Sequence, residues 1–488
     1  MSSNDLFVLL PLVVLIGWAI LLLLADLWIS EKRKGFVALL AAIGLVAALV
    51  LTLLQLGRPP QVAFNSMIVR DGFTVFLNVI FLVSALAGVA LAYDYLKRMG
   101  IERGEYYSLL LFTTAGMMLM SSAYDLIIVF LALELLSIPL YVLAGFARPR
   151  PESEEAALKY FLLGAFATGF VLYGVSLIFA ATAHTDLLGI ISLVTLATQS
   201  ATSAAPINQV LFLAGGAFFL VGFGFKIAAV PFHMWAPDVY QGAPSPVAGF
   251  MSVGAKVAGF AALLRVFILV FPSLAVDLAP VLGGLAALTM IAGNILALAQ
   301  KNIKRLLAYS SIANAGYLLM ALVTYGNPQL AGQSVSAMLF FLAAYALTSL
   351  GAWAVVIALE QAEAQGLQVD EYAGLGRKSP WLALAMAVFM FSFTGVPPTL
   401  GFWGKFLLFK AVVDGGFTWL ALIGLLTSLF SAYYYLRVVV VMYMLPGQPV
   451  VRRELWLGIV AGTTAVLVVA LALYPAPLLA LAASAGIR

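Results

Sequence analysis

The sequence predicts an all-α polytopic membrane protein. Three observations carry this reading. Hydrophobic residues make up 64% of the 488 positions and charged residues only 9%, more apolar surface than a water-soluble domain can hide. Apolar runs of about 20 residues recur along the chain, each long enough to cross the hydrocarbon core. The short alternating segments of a transmembrane barrel are absent, so the backbone must close its own hydrogen bonds within helices.

Fourteen spans are expected, at residues 6–28, 36–56, 73–93, 107–122, 125–146, 155–183, 208–236, 243–270, 278–300, 303–324, 335–360, 380–413, 417–444 and 455–475. The first run, Leu6 to Trp28, has no basic residue before it and is too long for a cleaved signal core, so it reads as a span. Between the sixth and seventh spans, Leu187 to Ala197 is apolar but short, which suggests a surface or re-entrant piece. The chain has no cysteine and only two histidines, His184 and His233. Thiolate-held iron–sulfur clusters and disulfides are thereby excluded, and no Gly-rich phosphate loop follows a strand. Any redox or nucleotide chemistry this protein serves is expected on another chain.

Lys and Arg sort by loop. The loops after odd-numbered spans hold Lys32, Arg33 and Lys34; Lys97, Arg98 and Arg103; Arg148, Arg150 and Lys159; Lys301, Lys304 and Arg305; Arg377 and Lys378; Arg452 and Arg453. These are 16 of the 25 basic residues, against Arg58 and Arg70 in the other loops and Arg488 at the C-terminus. Cytoplasmic loops carry the basic excess, so the odd loops are expected to face the cytoplasm and both termini the outside. The net charge of +4 is this bias rather than a nucleic-acid footprint.

The remaining six cations, Lys226, Lys256, Arg265, Lys405, Lys410 and Arg437, all fall inside spans. Glu134 is the acid that lies clearly mid-span. Asp26, Asp94 and Glu360 sit near span ends, where snorkelling to the interface is expected. At ~1.5 Å per helical residue, Glu134, Lys226 and Lys256 lie roughly 18–21 Å from the cytoplasmic ends of spans 5, 7 and 8. A charge at that depth costs about 3 kcal/mol even on lenient scales, so it should face protein or water. A paired Glu134–Lys226 and a less compensated Lys256 are expected. Burial disfavours the ammonium form, which suits a proton carrier better than a fixed charge. A structural ion pair is the competing reading for Glu134 and Lys226; Arg265, Arg437 and Lys410 are read as structural.

Two spans look broken. In span 7, GFGFKIAAVPFHMWAPD (Gly222–Asp238) places Pro231 just past Lys226, where its missing N–H should kink the helix. Freed carbonyls there can meet an ion or water. His233, seven residues from Lys226, shares its face if the helix continues, either as a proton relay or as a hydrogen-bonded lock on the kink. In span 12, FSFTGVPPTLGFWGKF is broken by Gly395, Pro397, Pro398 and Gly401, with Lys405 following. Lys226 and Lys405 are 179 residues apart, and Tyr141 and Tyr317 are 176 apart. The echo suggests two five-span units, and an odd number of spans per unit inverts the second relative to the first.

Taken together, HMWAPDVYQGAPSPV (His233–Val247), the buried Glu134 and Lys226, RLLAYSSIANAGY (Arg305–Tyr317) and TGVPPTLGFWGKF (Thr394–Phe406) resemble the antiporter-like membrane subunits of respiratory complex I, the proton-pumping NADH–quinone oxidoreductase. The resemblance covers nearly the whole chain. It implies a 14-helix core divided into an N-terminal three-helix segment (1–106), repeat 1 (107–270), inverted repeat 2 (271–446) and a C-terminal helix (447–488). It also implies proton translocation, as part of a translocase, through Glu134, Lys226, Lys256 and Lys405, which match the family positions one by one. Lys405, where another member typically carries glutamate, and the short stretch after span 14 match the member nearest the quinone-side module. The resemblance implies no cofactor in this chain. NADH, FMN, iron–sulfur clusters and quinone belong to partner subunits, and the partners are neighbouring membrane subunits in a bacterial cell membrane. A subunit of a multisubunit sodium–proton antiporter is the alternative within the same fold. A solute transporter needs a polar substrate pocket rather than a row of titratable groups, and an inert scaffold would pump unchanged without Lys226.

Overall fold

The computed structural model describes residues 3–30, 33–199, 207–362 and 365–487. Lys32 and Arg488, two of the cations counted above, lie outside the described residues. The first helices are α1 (Ser3–Asp26), α2 (Gly35–Leu53), α3 (Gly72–Arg98), α4 (Glu105–Ser122), α5 (Leu126–Ala144) and α6 (Pro151–Thr182). The short α7 (Leu187–Gln199) precedes α8 (Gln209–Lys226), α9 (Trp235–Gly242), α10 (Ser245–Val270), α11 (Ala275–Leu298), α12 (Ile303–Val323) and α13 (Pro328–Leu359). After them come α14 (Leu375–Lys378), α15 (Pro380–Thr394), α16 (Leu400–Asp414), α17 (Thr418–Met444), α18 (Leu455–Leu473) and α19 (Ala476–Ser484). A small hairpin departs from the all-α expectation: β1 (Gln61–Ala63) pairs antiparallel with β2 (Ile68–Arg70), with Val62 opposite Val69.

Each of the fourteen expected stretches carries helix. Twelve of the described helices are long and apolar enough to cross a membrane individually. The other two stretches are informative. Span 4 is α4, 18 residues carrying Thr113, Thr114, Ser121 and Ser122. Span 12 is divided into α15 and α16, two halves of 15 residues each. Leu187 to Ala197 falls in α7, which packs on α10 and has Leu187 and Ile190 fully buried.

Side-chain caps start many of the helices. Asp71 accepts from Thr74 N, Asp125 from Ile127 N, Asn208 from Leu211 N, and Asn302 from both Lys304 N and Arg305 N. Each cap satisfies a backbone donor that the first helical turn leaves orphaned. Burial then sorts the helices. In α10, α12 and α13, 89%, 94% and 94% of the apolar window is buried, whereas in α1, α6 and α18 only 33% is. The centre of the bundle is therefore α10, α12 and α13, and the others are arranged around it.

Loops after odd-numbered spans meet at one end of the bundle. There Arg98 pairs with Glu454 and donates to Ile357 O (2.8 Å), Arg305 pairs with Asp238 (2.8 Å), and Arg452 N donates to Ala358 O (2.9 Å). The other loops meet at the opposite end, where Tyr124 N donates to Met67 O (2.8 Å) and Leu126 N to Thr185 O (2.9 Å). The basic excess thus marks one face of the molecule.

Candidate functional site

The break in span 7 starts at Lys226, the last helical residue of α8. Ala228 N donates to Phe225 O (3.0 Å), Ala229 N donates to Gly224 O (2.8 Å), and Ala228 is left-handed at φ 58°. This pair of bonds is a Schellman stop, and it ends the helix before the chain reaches Pro231. The proline therefore prevents resumption rather than causing the kink, which corrects the expectation above. The backbone of the break is met by protein: Trp235 Nε1 donates to Phe225 O (2.9 Å), and Val230 N donates to Thr289 Oγ1 (3.0 Å). Because the helix does not continue, His233 does not inherit the face of Lys226. It is half-buried in the break, with Nδ1 buried and without a hydrogen-bond partner.

Span 12 repeats the device. Gly395 N donates to Ser392 O and Val396 N to Phe391 O (both 3.1 Å), with Gly395 left-handed at φ 87°. Pro397 and Pro398 follow in the break, and the Val230–Pro231 and Pro397–Pro398 peptides are both cis. The two left-handed residues, Ala228 and Gly395, are 167 positions apart. The lysines do not share that spacing: Lys226 lies before its break, and Lys405 lies after its own, on α16. The 179-residue echo therefore links two lysines on opposite sides of equivalent breaks.

Three lysines are buried in the middle of the bundle, Lys226 at 4%, Lys256 at 3% and Lys405 at 4% exposure. Among the described residues, none of them has a carboxylate within 4.0 Å. Their partners are neutral oxygens. Lys226 Nζ donates to Ser137 Oγ (2.8 Å) and Tyr160 Oη (3.1 Å), Lys256 Nζ to Ser311 O, and Lys405 Nζ to Thr394 O (3.0 Å) and Ser428 Oγ (2.8 Å). Each ammonium also lies over a tyrosine ring, Tyr160 at 5.3 Å, Tyr345 at 5.4 Å and Tyr317 at 4.6 Å. Thr394 O, freed by the break in span 12, is thus held by Lys405.

The expected Glu134–Lys226 contact is absent. Glu134 is half-buried on α5 and its charge acts on Lys226 at a distance. Ser137, one turn further along the same face, takes the direct contact.

Small residues and hydroxyls link the lysines. Gly259 on α10 is one turn from Lys256, and a Cβ there would lie 3.6 Å from Lys226 Cγ, so the Lys226 stem rests against the Lys256 helix. Tyr345 Oη donates to Ser311 Oγ (2.9 Å), beside the carbonyl that Lys256 holds. A small cavity lined by Asn314, Tyr345, Thr348, Ser392 and Lys405 then joins Tyr345 to Lys405. Sequence reading missed Ser137, Tyr160, Ser311, Tyr345 and Ser428. The available signal was a hydroxyl on a polar helix face at the depth of each lysine.

The other in-span cations differ. Arg265 is bidentate to Asp71 (2.9 and 3.0 Å), with both side chains fully buried. Lys410 pairs with Asp414 at the surface (2.6 Å), and Arg437 donates to Leu298 O and Gln300 O. Asp26 is buried against Lys34 (2.9 Å), and Glu360 is only 4% exposed, so neither snorkels as expected. At the basic face, partial burial pushes the Asp238 carboxyl up, but hydrogen bonds from Lys159 (2.7 Å) and Arg305 (2.8 Å) outweigh it and hold the group below the usual carboxylate range. That clamp on α9 is present at neutral pH and is lost as pH falls through the lowered value, beneath the usual carboxylate range.

A family model described as "NADH:quinone oxidoreductase/Mrp antiporter, TM" matches residues 123–431. The chain belongs to this family. A protein of Chloroflexus aggregans named NADH-quinone oxidoreductase subunit N is 45% identical, over 98% of this chain and 96% of its own length. One of Trichlorobacter lovleyi with the same name is 46% identical, over 96% and 93%. Among solved structures, a chain of respiratory complex I from Thermus thermophilus with bound aureothin is 37% identical, with TM-score 0.82 and coverage of 97% and 99%. A chain of the Mrp complex from a Dietzia species superposes with TM-score 0.86 over 99% and 97%, at 20% identity, a likeness of fold alone. The antiporter-like fold is therefore shared by both branches of the family, while the sequence sides with the quinone oxidoreductase branch.

Proposed function

We propose that this chain is the proton-translocating subunit N of an NADH–quinone oxidoreductase. It moves protons through Lys226, Lys256 and Lys405 while electrons pass from NADH to quinone in other subunits. One observation supports this most: three lysines buried at mid-depth with neutral oxygens and, among the described residues, no carboxylate as partners. A fixed charge in that setting is costly, whereas a group that alternates between ammonium and amine is served by oxygen partners and a nearby field. Glu134 biases Lys226 through space, and a change of charge at one lysine acts on the next by Coulomb interaction, which is strong where the dielectric is low. His233, at the break, is a candidate link to water. Pro231, Pro397 and Pro398 lie within the two breaks, beyond the Schellman stops that end the first half of each helix. The two breaks, each a Schellman stop, support the division into repeats at 107–270 and 271–446. The basic face is read as cytoplasmic, in a bacterial cell membrane with both termini outside. NADH, FMN, iron–sulfur clusters and quinone are assigned to partner subunits, in keeping with a chain that has no cysteine.

The test uses the assembled complex in proteoliposomes. Lys256→Met and Lys405→Met should each lower proton translocation at least tenfold relative to a conservative change at Arg437. Full translocation in both would mean that the path runs elsewhere. The 0.86 superposition on an Mrp chain keeps a sodium–proton antiporter subunit as the second reading. Sodium-driven proton exchange without NADH would favour it.

A further inference from the structure

Below the Lys256 level, at the basic face, lies a second buried polar cluster that the lysine row does not use. Glu360, at the end of α13, is 4% exposed. Its Oε1 accepts from Tyr95 Oη (3.1 Å), and its Oε2 is buried with no partner. Ser245 Oγ and Tyr372 Oη are also buried and unpartnered. Ser245 N reaches Tyr95 Oη (3.5 Å), and the Glu360 charge acts on both Tyr372 and Lys304. Lys304, 2% exposed, donates to Ala243 O (2.7 Å) and contacts no carboxylate among the described residues. Arg150, Glu371 and the Arg98–Glu454 pair are further charges nearby. Three orphaned oxygens in one cluster, one of them the carboxylate's own, are unusual, because buried polar groups are nearly always satisfied by protein or by ordered water.

We propose that these groups enclose internal water and that Glu360 is the proton-accepting group of an inlet leading to Lys256. The inference rests on the proton-translocation reading. The helices support it. On α10, Ser245, Ser252 and Lys256 fall at i, i+7 and i+11, one face of the helix. On α13, Glu360, Ser349 and Tyr345 line the facing side. Ser252 and Ser349 hydrogen-bond at 2.9 Å, and the Tyr345 hydroxyl, one turn from Ser349, donates to Ser311. A proton leaving Glu360 thus has hydroxyls at two of the three levels up to Lys256. At the third, Trp353 packs over Gly249, where a Cβ would meet it at 3.0 Å, and this ring closes the inlet in the present conformation. Glu360 accepts a proton from water on its basic-face side and gives it up through the serines when the ring moves. No other atom changes hands.

Glu360→Gln keeps an oxygen for Tyr95 while removing the titrating group. In the assembled complex it should slow proton translocation about tenfold, with Glu360→Asp recovering much of the rate. The same preparation carries Lys256→Met. Loss in Lys256→Met with wild-type rates in Glu360→Gln overturns the inlet and spares the lysine row; wild-type rates in both overturn the two together. A high-resolution map of the unmodified complex provides a check that needs no variant. Ordered water bonded to Glu360 Oε2 and to Ser245 Oγ or Tyr372 Oη is expected, and a dry cluster would refute the proposal.

Discussion

Lys256 and Arg265 are two buried cations on one helix, nine positions apart, and they should respond oppositely to loss of charge. Arg265 is bidentate to Asp71, so removing either partner strands a buried charge at a cost of about 3–5 kcal/mol. Arg265→Met or Asp71→Asn alone should reduce the amount of assembled complex, and the double replacement should restore much of it. Among the described residues Lys256 meets a carbonyl and a ring and no carboxylate, so Lys256→Met removes a desolvation cost and breaks no ion pair. Its complex should melt at or above the wild-type temperature while pumping fails. A destabilised, unassembled Lys256→Met would mark that lysine as structural instead. The contrast was half legible in the sequence. Hydropathy alone exposes a cation within an apolar run, but whether it is paired depends on Asp71, 194 residues away, which no local pattern reveals. The Glu134–Lys226 contact failed for the same reason. Depth along two helices places residues at one level, yet rotation about each axis decides whether Glu134 or Ser137 makes the contact.

At the scale of a helix, the two breaks are equivalent motifs built from different residues. A left-handed residue is required at the stop, and glycine adopts that conformation without a Cβ penalty. Gly395 meets the requirement; Ala228 does not. Ala228→Gly should therefore stabilise the complex by about 1 kcal/mol and leave pumping intact. Gly395→Ala is strained at φ 87°, and its Cβ would lie 2.9 Å from Lys405 Cδ. It should displace Lys405 from Thr394 O and Ser428 and cut translocation severalfold in an assembled complex. Parallel thermal-melt and proton-uptake measurements on the two variants check this, and normal uptake in Gly395→Ala would remove Lys405 from the path. Pro231→Ala should not straighten span 7, because the Schellman bonds end α8 earlier. The sequence showed both interruptions because each joins proline to a lysine within one overlong apolar stretch, Lys226 with Pro231 and Pro397–Pro398 with Lys405. It misassigned the first to Pro231 because an alanine in a left-handed conformation has no compositional mark.

Across the whole molecule, the lysines form a row rather than a cluster. Lys226 sits against the Gly259 face of α10, Lys256 against α12, and Lys405 across a small cavity from Tyr345. Each neighbour in the row is reached through a different helix, so the geometry offers one route in series. Serial steps make single losses saturating: once one link is gone, removing a second costs nothing more. Independent sites behave otherwise, since their effects add. Lys256→Met, Lys405→Met and the double variant should therefore show the same residual translocation per NADH oxidised, each at least tenfold below wild type. Two partial losses that combine in the double variant would instead indicate separate routes at the two ends of the row. The Gly259 contact supplies a further check, because it is what brings the Lys226 stem to the helix of Lys256. Gly259→Val should wedge α8 from α10 at Ile227 and Lys226 and reproduce the loss seen with Lys256→Met, even though it leaves all three lysines in place.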